Sequence, residues 1–275
     1  MKKQLLRDRR MLVGTSITIF LFLIAIIGPY IIPYHPITDI SSPLQAPNLQ
    51  HPFGTDQYGR DLFSRMIAGT RIALLIGVGS QLANTAVGIF LGVLAGYFGR
   101  LVDGMIMGLT NTVLSIPVLV FALMLMSFLG PGLISLLIAL AIVNWTYSCR
   151  IIRGEVLAVK EQDYVEAAVA IGSSRARIVL RHLLPNILSP VLVIATLGIG
   201  SAIILASSLS FIGVGVQPPN PGWGAILSQG RNYLLSAPWM VIFPGLMIFL
   251  AVLGFNLLGD GLRDYLDPKI GNEMG

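Results

Sequence analysis

Six stretches of this 275-residue sequence are apolar for about the length a helix needs to cross a bilayer. They lie at about 11–32, 72–98, 105–129, 133–149, 188–213 and 238–258, and no interior holds a Lys, Arg, Asp, Glu or His. A hydrocarbon core of ~30 Å takes roughly 20 such residues, and a charge at a helix centre costs about 2.5–3.5 kcal/mol on the insertion scale. All six are therefore expected to insert, giving an all-α membrane protein with six transmembrane helices. Composition agrees: 11% of residues are charged and mean hydropathy is +0.80, against roughly 25% charged in soluble domains.

The first span follows "MKKQLLRDRR", which resembles the basic start of a signal peptide. Its apolar run is long for one and ends in "GPYIIPYHP" with no A-x-A site, so an uncleaved anchor helix is expected. With the N-terminus placed in the cytoplasm, fourteen Lys and Arg fall inside and four outside (Arg60, Arg65, Arg71, Arg231). That asymmetry predicts that both termini are cytoplasmic. It also accounts for the +5 net charge and the pI of 9.6 without nucleic acid. The expected organisation is a basic cytoplasmic tail (1–10), a first helix (11–32), an extracytoplasmic loop (33–71), a five-helix core (72–258) and a cytoplasmic tail (259–275). The core includes the large cytoplasmic loop 150–187.

Two outer segments are rich in Pro and Gly. In the first, "TDQYGRDLFSRMIAGTR" predicts a short helix leading into the second span, capped by Thr55 or Asp56. Trp223, Trp239 and Tyr97 fall near predicted interfaces, as belt residues do. Within the second span Ser80, Asn84, Gly88, Gly92 and Gly96 recur every four residues, and in the fifth Gly198, Ala202, Ala206 and Ser210 do so. Such stripes let helices approach closely in lipid. They suit static packing or a conduit-lining, sliding face, and for the fifth span Ser201, Ser207 and Ser208 keep both open. Pro117 and Pro244 are candidate kinks.

Several chemistries lack their residues. No phosphate-binding G-x-x-x-x-G-K-[ST] loop occurs. His35, His51 and His182 all lie outside the spans, so a Ser-His intramembrane hydrolase has no base and no metal set is expected. An ion-coupled transporter has no ionisable residue at membrane depth, and the single Cys149 has no disulfide partner.

The segment "DYVEAAVAIGSSRARIVLRHLLPN" (163–186) is the polar exception. Tyr164, Ala167, Ala168 and Ile171 fall on one helical face, and Gly172 permits a turn with positive φ. Ser173 or Ser174 can cap a second helix, with Ala176, Val179, Leu180 and Leu183 as its apolar stripe and Pro185 breaking it before the fifth span. Two amphipathic helices meeting at a glycine corner fit either an interfacial element on anionic lipid or a docking element for a soluble partner.

Glu166-Ala167-Ala168, three residues, Gly172, nine residues, then His182-Leu183-Leu184-Pro185 resembles the "EAA" signature (E-A-A-x3-G-x9-I-x-L-P) of ATP-binding-cassette importer permeases. His182 stands where that signature has Ile, and "HLLPN" is the form usual in the peptide-permease branch. "HPFGTDQYGRDLFSR" (51–65), "SLSFIGVGVQPPNPGWGAIL" (208–227) and "NLLGDGLRDYLDPK" (256–269) are similar to the same branch, so the resemblance runs through nearly the whole chain. It implies a type I importer transmembrane fold in a bacterial inner membrane and no enzymatic role for this chain. The implied partners are a homologous permease in a heterodimer, one or two separate ATPases that bind ATP and Mg, an extracytoplasmic substrate-binding protein, and lipid. The expected cargo is a dipeptide or oligopeptide, with nickel or a metal chelate as the alternative. From another class, an ATP-independent channel competes.

The resemblance assigns ATPase coupling to Glu166, Ala167, Ala168 and Gly172, with Leu184 and Pro185 setting the exit angle. Gly198, Ser201, Ala202, Ser207 and Ser208 are candidate pathway residues. Asp56, Arg60 and Asp61 in the outer segment fit local capping and ion pairing as well as they fit a docking surface.

Overall fold

A computed structural model of the chain describes residues 9–266. The termini expected in the cytoplasm, with Lys2, Lys3, Arg7 and Lys269, lie outside the described residues. Among the described residues ten α-helices follow one another: α1 (Arg9–Ile31), α2 (Leu62–Phe98), α3 (Arg100–Leu114), α4 (Val118–Leu129), α5 (Leu133–Lys160), α6 (Asp163–Ala170), α7 (Arg175–Ile178), α8 (Leu184–Ile212), α9 (Trp223–Gly230) and α10 (Trp239–Leu266). Among the described residues there is no strand, only two isolated bridges in the outer loop.

Among the described residues five helices are long and apolar enough to span a bilayer, with a sixth span if α3 and α4 count as one bent by 90°. The bend falls at Pro117, which starts α4 with an extended ψ of 128°; a proline there has no N–H to continue the ladder of α3. Pro244 lies buried inside α10, which runs through it.

α2 packs along α5, α10 along α8 and α1, and α8 crosses α2. The α2 glycine stripe is a packing device. A Cβ on Gly88 would lie 2.5 Å from Cβ of Ser148, one on Gly92 2.8 Å from the Cys149 carbonyl, and one on Gly96 2.7 Å from Val156. The two backbones therefore touch where only hydrogen fits. Gly14 and Gly254 seat α1 on α10 in the same way.

Several boundaries differ from the sequence expectation. The outer helix is no separate element, because α2 begins at Leu62 and runs unbroken into the membrane span. Its cap is Asp61, which accepts from the Ser64 amide at 2.7 Å. Thr55 and Asp56 are occupied in the preceding loop: Thr55 Oγ1 accepts from the Gln45 amide, and Asp56 accepts from the amides of Tyr58 and Arg60. Residues 150–160, expected in the cytoplasmic loop, belong to α5.

Trp223 is buried and Trp239 half-buried, and both tie separate elements together. Their indole N–H groups donate to the carbonyls of Met66 and Thr55, both at 3.1 Å. An indole packed inside needs such an acceptor; the first turns of α2 supply one and the outer loop the other.

Candidate functional site

α6 stands at the end of the bundle opposite the 32–61 loop, joined to α5 by two residues. It ends in a Schellman arrangement: the Gly172 amide donates to the Val169 carbonyl and the Ser173 amide to the Ala168 carbonyl, each at 3.0 Å. Gly172 takes φ +81° with open space where a Cβ would go. Glycine is thus needed there for its backbone conformation, as at helix ends generally. Ser174 then caps α7, its hydroxyl accepting from the Arg177 amide.

The chain does not break at Pro185. α7 passes through a π turn, Val179–Leu183, directly into α8, and the Leu184 amide bonds back to the Val179 carbonyl. The wider turn absorbs the proline, which sits exposed in the first turn of α8 where no intrahelical N–H is required. The extra residue also rotates the apolar stripe. Ile178 and Leu183 are buried, whereas Ala176 and Leu180 of the expected stripe are exposed.

The inward face of α6 likewise differs from the expected one. Val165 (2% exposed) joins a cluster with Val93, Ile152, Val156, Ile178, Leu183 and Ile187, and Ala168 (6%) is buried beside it on the same face. Tyr164, Ala167 and Ile171 are exposed, as are Glu166 and Val169. The Glu166 carboxylate makes no ion pair with any described residue. So the helix is held by one edge in the chain's own core and presents outward an apolar face with two carboxylates, Asp163 and Glu166.

The supports beneath it are polar. Lys160 Nζ donates to the Tyr97 carbonyl at 2.9 Å, tying the end of α5 to the end of α2. Arg153 grips both carboxylate oxygens of Asp103 on α3, and Arg150 donates to Asn111 at 2.7 Å. These contacts tie α2, α3 and α5 together beneath α6. Val165 and Ile178, the anchors of the corner, were missed from sequence; the spacing of Val165 to Ala168 carried the first, and the π turn hid the second.

The candidate pathway residues divide. Gly198 packs against the Gln81 side chain and Ala202 is fully buried, while Ser201 is exposed and Ser207 and Ser208 are half-buried.

Residues 88–272 match the family model described as the inner-membrane component of binding-protein-dependent transport systems. The chain belongs to that family. It is a permease subunit of an ATP-binding-cassette importer, a transport component of the inner membrane and not an enzyme. Residues 1–52 of the permease also match the N-terminal transmembrane domain of oligopeptide transport permease C. It is 43% identical to the dipeptide transport system permease DppC of Alkalihalophilus pseudofirmus, over 98% of this chain and 88% of that one. It is 42% identical both to the probable D,D-dipeptide permease DdpC of Escherichia coli K12, over 94% and 87%, and to the glutathione permease GsiD of E. coli O6:K15:H31, over 96% and 88%. Among solved structures the permease resembles the MetNI methionine transporter (TM-score 0.64, 18% identity, 75% of this chain and 98% of that one). It also resembles an amino acid ABC transporter (TM-score 0.58, 17% identity, 74% and 95%). The type I importer fold expected from the signature is thus the fold observed.

Proposed function

We propose that this permease carries dipeptides or oligopeptides and forms half of the translocation pathway with a homologous permease. In this reading α6 and the Gly172 corner dock on a separate ATPase at the cytoplasmic end, which binds the ATP and Mg, and no cofactor belongs to this chain. The outer loops, which are the far end of the bundle, face a substrate-binding protein. The named relatives act on dipeptides, D,D-dipeptides and glutathione, which supports a peptide cargo over nickel or a metal chelate.

The observation that carries the coupling role is the two-sidedness of α6: Val165 and Ala168 buried, Tyr164, Ala167, Val169 and Ile171 outward. A segment lying on lipid would need no rigid anchorage in the protein core. Closure of two ATPases on ATP would move both docking helices as levers. Because α6 is wedged against α2 and α5, the spans would shift between outward- and inward-facing packings, a population shift driven by differential binding. Ser201, Ser207 and Ser208 are the pathway candidates whose exposure suits that role, and Gly198 and Ala202 support them from behind.

The test is gentle solubilisation of native membranes holding a tagged chain. Stoichiometric recovery of a second permease and P-loop ATPases, with ATP-dependent dipeptide uptake after reconstitution, is expected. A chain recovered alone that passes solute without ATP would overturn the proposal in favour of a channel.

A further inference from the structure

A cavity of about 390 Å³ opens between α5, α8 and the end of α10. Its size lies in the lower part of the range that takes small molecules, roughly 300–1,000 Å³. Ile151, Pro190, Val193, Ile194 and Leu197 give it apolar walls, and Tyr147 and Ser189 add neutral polar groups. Two opposite charges complete it: Glu155 on α5, half-buried, and Arg263 on α10, exposed at the rim. They are not ion-paired with each other, nor is either paired with another described residue. Arg153, two residues before Glu155, is by contrast paired with Asp103. A carboxylate and a guanidinium kept apart on two walls of one apolar cavity match a ligand with opposite charges at its two ends.

We propose that this cavity is a way-station for a short peptide with free termini, its ammonium on Glu155 and its carboxylate on Arg263. The apolar walls take side chains without selecting among them, and the two charge-assisted contacts read the ends that all short peptides share. This rests on the peptide-importer function proposed above and gives it a contact site in the permease itself. The headgroup of phosphatidylethanolamine carries the same pair of charges, so lipid is the other source of that chemistry.

The experiment uses the complete transporter, this chain with its partner subunits, in nanodiscs free of phosphatidylethanolamine. Ser189→Cys places a thiol on the cavity wall, and its rate of maleimide labelling is followed on this chain; the native Cys149 is buried. Alanyl-alanine is expected to slow labelling several-fold, while N-acetyl-alanyl-alanine amide leaves it unchanged. E155Q and R263Q are expected to abolish the protection, and E155D and R263K to retain it. Should the neutral variants not assemble, free against capped peptide in the otherwise unaltered complex still decides. Equal protection by free and capped peptide overturns the way-station, as does protection that appears only on adding phosphatidylethanolamine. No protection in a complex that imports dipeptides also overturns it but leaves the importer function standing. A complex that imports no dipeptide overturns that function and the way-station with it.

Discussion

The amide of Ser173 donates to the carbonyl of Ala168 at 3.0 Å, closing the end of α6 across Gly172. This bond fixes the angle between the exposed helix and the run that enters the membrane as α8. It requires the left-handed conformation at Gly172, which costs a residue with a Cβ about 1–2 kcal/mol and a β-branched one more. Gly172→Val is expected to leave the chain folded and inserted, since nothing crowds the site, yet to lower uptake per ATP hydrolysed. Gly172→Asn, which tolerates that conformation, should retain most coupling. Parallel uptake and ATPase assays check both; unchanged coupling in Gly172→Val would remove the corner from the mechanism.

Gly88 and Ser148 set the distance between α2 and α5. Gly88→Ala would place its Cβ 2.5 Å from that of Ser148, so the helices must part, at about 1–3 kcal/mol for overpacking. A lower melting temperature in detergent is expected. Gly104→Ala, with nothing within 4 Å, serves as control and should hold or raise the melting point.

Asp56 is the hub of a buried charge group in the outer loop. Its Oδ2 lies 2.7 Å from Nε of Arg60 and 3.5 Å from Nε of Arg65. Arg65, 1% exposed, also donates to the Pro36 carbonyl at 2.8 Å and the Pro219 carbonyl at 3.5 Å, joining the two outer loops. Asp56→Asn strands two buried guanidinium groups, and breaking a buried ion pair costs about 3–5 kcal/mol. Limited proteolysis of the purified protein should then cut the 32–61 segment readily, where the unaltered protein resists.

Asp61 serves two partners, accepting from the Ser64 amide at 2.7 Å and pairing with His51 at 2.9 Å. Asp61→Ala removes the cap, worth about 1 kcal/mol, and leaves a buried imidazole short of a partner, about 1–3 kcal/mol more. Asp61→Asn keeps an oxygen at the cap and should recover most of the loss. Thermal melts of the two variants against the unaltered protein measure the difference.

Capping and ion pairing therefore account for Asp56, Arg60 and Asp61, one of the two uses the sequence left open for them. The α2 stripe was likewise open between packing and sliding, and the approach of Gly88 to Ser148 assigns it to packing.

What the residue order determined by itself was the membrane class, five of the apolar spans, and the glycine corner; the third expected span is two helices bent by 90° at Pro117. Each follows from a local property: apolar length against bilayer thickness, or a φ that only glycine adopts freely. The "EAA" spacing could be read for the same reason, because its residues lie within one short segment. Which face of α6 is buried was decided only in three dimensions. Val165 and Ile171 are both apolar, and α2 and α5 happen to cover the first and leave the second outside. The run of α7 through a π turn into α8, the junction of both outer loops on Arg65, and the meeting of Glu155 and Arg263 in one cavity belong to the same kind. They join residues far apart in the chain, and no local pattern records which of them the packing will bring together.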